Sequence, residues 1–139
     1  MSTLVAIKAG PYDFTARLEE ELAPVTCARF KAMLPYQEKL IHVRWSGEGV
    51  WIPMGNTPFD LPWENPTRYP APGQFIFYPG GFSETEILLA YGGVAFASKL
   101  GPLAAIHFMT VVEGQENLHA LGQKTLWEGA QGISLALKA

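Results

Sequence analysis

The side chains best equipped for chemistry are scattered along the chain in pairs and singles. His42 and Arg44 lie two apart within residues 39–46, a β-type run in which Ile41, Val43 and Trp45 alternate with them. In a strand that pair shares one face and the apolar residues take the other. An arginine so placed can hold both oxygens of a carboxylate through its planar fork. Glu48 follows in the turn Gly47-Glu48-Gly49, where it can orient Arg44, act as a base or simply stay solvated. Glu84 and Glu86 repeat the two-residue spacing in residues 84–91, with Thr85, Ile87 and Leu89 on the opposite face. Two neighbouring carboxylates repel each other and ionise most easily in water or beside a cation, for which Lys99 is available. His107 interrupts an otherwise apolar strand, either as a satisfied structural histidine or as an acid–base group titrating near neutrality.

The same residues also delimit what the chain does not contain. His42, Glu84, Glu86 and His107 are metal-ligand types, but no spacing brings them together, so neither a metal nor another cofactor is expected. Ser46-Gly47 and Ser83-Glu84 lack the strand-turn-helix setting of a nucleophile elbow. Cys27 is the single cysteine, which excludes an internal disulfide and any Cys-x-x-Cys site.

Elements of a mainly β domain must position these groups. Residues 3–8 and 12–19 alternate as a hairpin turned by Gly10-Pro11. Pro24 opens a helix over residues 24–34, with Cys27, Phe30 and Leu34 as its apolar stripe and Arg29 and Lys31 in solvent. Residues 50–52 run back from the Gly47-Glu48-Gly49 turn. Five prolines between Gly55 and Gly73 make a long, stiff surface loop. Residues 74–78 and 84–91 form a hairpin, half-exposed or walling a ligand site, whose reversal uses Pro79-Gly80-Gly81. Residues 94–100 read equally as a helical turn or a strand. A strand follows at 104–112, then a short helix at 115–121 stopped by Gly122, and a last strand around Ile133, Leu135 and Leu137.

A chain of 139 residues with 48% hydrophobic and 17% charged residues is expected to form one domain spanning residues 1–139. The net charge of −3 provides no basic field, so nucleic acid is excluded as an expected partner. The N-terminus lacks a signal-peptide pattern and no apolar run reaches the ~18 residues of a membrane span. A cytoplasmic protein that self-associates through leftover apolar surface is therefore expected.

The segments Ala23-Pro24-Val25-Thr26 with Phe30, and Phe108-Met109-Thr110-Val111-Val112-Glu113-Gly114, resemble the helix start and the late valine-rich segment of cyclophilins. Over nearly its full length the chain is similar to a bacterial family of cyclophilin-like domains of unknown function. That similarity rests on His42-x-Arg44-Trp45-Ser46-Gly47-Glu48, Tyr78-Pro79-Gly80-Gly81, Ser83-Glu84-x-Glu86 and Leu126-Trp127-Glu128-Gly129. The resemblance implies a cyclophilin-like closed β-barrel with two short helices. It also favours a barrel that binds a small molecule or short peptide carrying an anionic group, through His42, Arg44, Glu48, Tyr78, Glu84, Glu86 and His107 under the proline-rich loop. A prolyl isomerase or other acid–base enzyme is the alternative, and a structural or assembly subunit is a third. Pro53 stands where cyclophilins have a catalytic-segment glutamine, so efficient prolyl isomerisation is not expected.

Overall fold

The computed structural model describes residues 2–139. Alternating sequences at the N-terminus become β1 (Leu4–Ala9) and β2 (Tyr12–Leu18), turned at Gly10 with a φ of 56°. After α1 (Pro24–Lys31) come β3 (Tyr36–His42), β4 (Gly47–Pro53) and the two-residue β5 (Pro66–Thr67). The central hairpin is β6 (Gln74–Tyr78) and β7 (Glu86–Val94), antiparallel as its pairing of Phe77 with Ile87 shows. A small pair, β8 (Ala97–Ser98) and β9 (Gly101–Pro102), precedes β10 (Ala105–Glu113). A 3-10 turn (Gln115–Asn117) leads into α2 (Leu118–Glu128), and β11 (Gln131–Leu137) closes the chain.

The strand order β2-β1-β11-β3-β4-β7-β6-β10 returns to β2 through a direct β2–β10 pairing, and every neighbour is antiparallel. The eight strands therefore form a closed barrel with no free edge between them, which removes the unpaired backbone that an open sheet exposes. This is the expected cyclophilin-like topology with two helices. Phe75, Phe77, Ile87, Leu89 and Phe108 fill the inside. Helix α1 adds Cys27 and Phe30 to that core, with Phe30 edge-on to Phe108 at 5.0 Å. Helix α2 adds Leu118 and Leu121. The proline-rich stretch is tied to α1 by Glu64, whose carboxylate accepts from the Val25 and Thr26 amides at 3.1 and 2.8 Å. Those amides are among the unsatisfied donors of a helix start, and an anion there also meets the positive end of the helix dipole.

Several local expectations give way. The strand foreseen over residues 39–46 starts earlier and ends at His42, because Ser46 and Gly47 donate back to the Val43 carbonyl in a tight turn. Glu48 consequently lies in β4, not in a turn. Helix α1 stops at Lys31 instead of residue 34. Gly122 does not end α2. It sits mid-helix because a Cβ there would collide with the Tyr91 ring. Arg29 and Lys31 have partners: the Arg29 guanidinium lies 4.6 Å over the Phe59 ring, and Lys31 donates to Glu20 at 2.7 Å.

The largest departure is on the outside of the barrel. Trp51, Ile76, Tyr78, Leu88 and Ala90 point outward from β4, β6 and β7, yet all are buried in a second apolar cluster with Phe96 and Leu103. That outer layer, supplied by the segment between β7 and β10, frames one side of the site described next.

Candidate functional site

Glu86 is the first residue of β7, paired on one side with Tyr78 of β6 and on the other with Pro53 of β4. Ile87 faces the barrel interior, so the Glu86 side chain takes the outer face at the border of the second apolar cluster. It is only 4% exposed, and among the described residues no group donates a hydrogen bond to it. Burial, followed by the charge of Glu84, raises its pKa to about 8, so the folded protein carries it as a neutral acid at pH 7.

Glu86 lines a cavity of about 220 Å³ together with Glu84, Trp45, Trp51, Ser98 and Lys99, and with Ser83 at one edge. The two tryptophans stand edge to face, their rings 5.7 Å apart. Trp45 lies in the turn after β3 and is 55% exposed, but its indole N–H is fixed on the Ala97 carbonyl at 3.1 Å. Ser46 is buried and clamps the same residue twice, donating to the Ala97 carbonyl at 2.9 Å and accepting from its amide at 3.0 Å. The Trp45 wall and the Ser98-Lys99 wall are thus one braced unit. Opposite, the Tyr78 hydroxyl accepts from the Ser83 amide at 3.2 Å and steadies the Pro79–Thr85 connection. Gly80 and Gly81 take φ of 96° and 110° in that connection, as the tight reversal requires.

The sequence-level site residues fall into three groups instead of one. Glu84 and Glu86 share the outer cavity, with Tyr78 beside them as a support. His42, Arg44 and Glu48 line a separate cavity of about 300 Å³ beside α2, with Tyr91 and Gln123. There a ring nitrogen of His42, Nε2, lies 2.6 Å from the Tyr91 hydroxyl, while its Nδ1 is buried without a partner. Burial, then Arg44, lowers the His42 pKa, and Glu48 opposes them. Arg44 is exposed and has no carboxylate within ion-pair distance among the described residues. Glu48 instead accepts from the Gly93 amide at 3.1 Å, and a Cβ on Gly92 would strike its carboxylate.

His107 stands in the third place. Its Nε2 is 2.8 Å from the Thr110 hydroxyl, which itself donates to Glu19 at 2.6 Å. The donor on that bond is therefore His107 Nε2–H, and Nδ1 takes the Asn65 amide at 3.3 Å. Burial lowers the His107 pKa, with Glu19 pulling the other way. Arg44, Glu86 and His107 thus do not converge, because the turn after β3, the start of β7 and the strand β10 hold them in separate places. The proline-rich loop contributes nothing to the lining of the Glu86 cavity. Among the described residues no cluster of three metal-ligating side chains exists, and no helix is long and apolar enough to cross a membrane. Trp51, Ser98 and Tyr91 are lining residues that the sequence reading did not place in a site.

Two solved structures show how widely this architecture recurs. A structure of McbB in complex with tryptophan superposes with a TM-score of 0.70 at 19% identity. The superposition covers 97% of this chain but 45% of McbB, so the chain spans under half of that protein. The solution structure of the hypothetical protein AF2241 from Archaeoglobus fulgidus gives a TM-score of 0.66 at 14% identity, covering 99% of this chain and 95% of that one. At such identities the likeness is one of fold. No curated protein matches the chain. The family described as protein of unknown function (DUF3830) matches residues 5–137, that is, the whole barrel, and the chain belongs to it.

Proposed function

We propose that this barrel binds a small molecule in the cavity between Trp45, Trp51 and Glu86. One observation carries the reading: a carboxyl on a residue only 4% exposed lines an open space, and the wall beside it holds the Trp51 indole N–H, a buried donor without a partner among the described residues. Leaving a buried donor such as the Trp51 N–H unsatisfied costs about 1–3 kcal/mol, so a fold that keeps it gains when a ligand supplies the missing partner. The walls suit that role, since apolar aromatic surface with few convergent polar groups is the usual composition of a ligand site. The volume is below the ~300–1,000 Å³ of drug-sized pockets, which favours a compact metabolite over a peptide. McbB, which shares the fold, is described in complex with tryptophan, a compact aromatic molecule.

A second reading keeps the anionic ligand suggested by the sequence and moves it to the cavity beside α2. Its support is the exposed Arg44 guanidinium next to the Tyr91 hydroxyl and the neutral His42 ring. A fragment screen read by backbone and indole NMR shifts separates the two. Ligands of the proposed site shift Trp45, Glu86, Ser98 and Lys99 and are lost in Trp45→Ala, whose exposed side chain leaves the core intact. Shifts confined to Arg44, Tyr91 and Gln123 support the second reading, and a screen with no hits refutes both.

A further inference from the structure

Charge and wall chemistry in the Glu86 cavity point beyond "a small molecule" to a particular class, an inference that rests on the site just proposed. Among the described residues, few titratable groups lie around Glu86. Glu84 comes from the connection before β7, Lys99 from the tip between β8 and β9, and Tyr78 from the paired strand β6, while β4 offers only Trp51 and Pro53. Two carboxyls therefore face one ammonium. Lys99 is exposed and makes no ion pair with either acid among the described residues, so the cavity's own cation is not committed to them.

We propose that the ligand of this cavity is an organic cation, an ammonium group carried on a compact aromatic or aliphatic body. The indoles of Trp45 and Trp51 suit a cation as well as an apolar body, and a cation between the two carboxyls offsets the repulsion that would arise once Glu86 ionises beside Glu84. An anion would meet Lys99 but would also be repelled by Glu84 at the same opening. A neutral ligand would satisfy Glu86 alone and leave Glu84 unaddressed.

Binding then exchanges one positive charge for another. The neutral acid of Glu86 loses its O–H proton to solvent, and the resulting carboxylate pairs with the incoming ammonium. The charge of the cavity is unchanged, and no bond of the ligand is made or broken. Because Glu86 titrates at about 8, the carboxylate is about a tenth populated at pH 7. Cation affinity should therefore rise about tenfold per pH unit below pH 8 and level off above it.

The test is isothermal titration calorimetry of the full chain with four probes built on one ring: benzylamine, benzyltrimethylammonium, benzyl alcohol and benzoate. Each is run in two buffers of different ionisation enthalpy, from pH 6 to 8.5, while NMR shifts locate the binding. The expected result is that the two cations bind best and release close to one proton at pH 7. Glu86→Gln, which keeps the side chain's shape, should abolish proton release and flatten the pH dependence while its circular dichroism stays that of the parent. Lys99→Ala should tighten both cations by removing the competing charge. Binding of benzyl alcohol or benzoate at Trp45 and Glu86 in preference to the cations overturns the cation assignment and leaves the small-molecule site standing. Cation binding with no proton release also overturns the assignment. Silence from all four probes, together with no hits in the fragment screen, overturns both proposals.

Discussion

Glu86 makes the stability of this fold depend on pH in an unusual direction, and Glu86→Gln isolates the effect. The folded state keeps the Glu86 proton up to about pH 8, whereas the unfolded chain releases it near 4.5. Between those values the native state binds more protons than the unfolded state, so raising the pH destabilises the fold. Below about pH 4.5 the penalty is absent, and above about pH 8 it is constant at its full size. Each pH unit in the interval is worth about 1.4 kcal/mol, which integrates to roughly 5 kcal/mol across it. That is a large share of the ~5–15 kcal/mol that holds a domain together. Urea unfolding of the parent and of Glu86→Gln at half-unit steps from pH 4 to 9 measures the difference, and other titrating groups cancel in it. The parent should match or exceed the variant at pH 4 and fall steadily behind it up to pH 8. Glu84→Gln should keep the slope over a shorter interval, since burial is the first cause of the shift and the Glu84 charge the second. If the difference between the parent and Glu86→Gln does not change with pH, Glu86 is not a buried neutral acid and the account of the cavity fails.

Three further outcomes follow from the geometry. Arg29→Ala should cost about 0.5–1 kcal/mol by removing the cation from the Phe59 ring, while Arg44→Ala, with no such partner, should stay within about 0.5 kcal/mol of the parent in thermal melts. Gly122→Ala should destabilise the barrel by about 1–3 kcal/mol, because its methyl group must displace the Tyr91 ring, and NMR should show the Tyr91–His42 hydrogen bond disturbed. In a protease-coupled assay on a short proline peptide the chain should turn over far more slowly than cyclophilins, and ordinary cyclophilin rates lost in Arg44→Ala would refute that expectation.

The barrel itself was legible from local pattern, because β2 and β11 alternate cleanly and glycine and proline punctuate the turns. Its closure was expected from the number of short strands and from the resemblance, not from any local mark, since the β2–β10 pairing joins segments some ninety residues apart. The buried outer layer did leave one. Phe75-Ile76-Phe77-Tyr78 and the run Ile87-Leu88-Leu89-Ala90 are apolar without interruption, which is how a strand covered on both faces reads. Read as a half-exposed hairpin, the same residues put Glu86 at a wet surface and conceal its neutral state. Gly122 misled for a related reason: a glycine within a helix looks like a stop until the Tyr91 ring that requires it is known. His42, Arg44 and Glu48, close in sequence, also line one cavity, whereas joining them to Glu86 and His107 assumed strand neighbours that the topology does not provide.

The Glu64 carboxylate also bears on how the molecule comes apart. It joins the proline-rich stretch to the first turn of α1 across 38 residues of chain, and the Thr26 hydroxyl adds a third hydrogen bond at 2.8 Å. Helix ends ordinarily fray on their own, with amides exchanging far faster than those of the core. Here the Val25 and Thr26 amides are covered by a distant segment, so their exchange with solvent reports the lifting of that segment and not the unwinding of the helix. Two stretches remote in sequence thus share one opening event, and a protease cut within residues 55–73 would register first as the loss of amide protection at the start of α1.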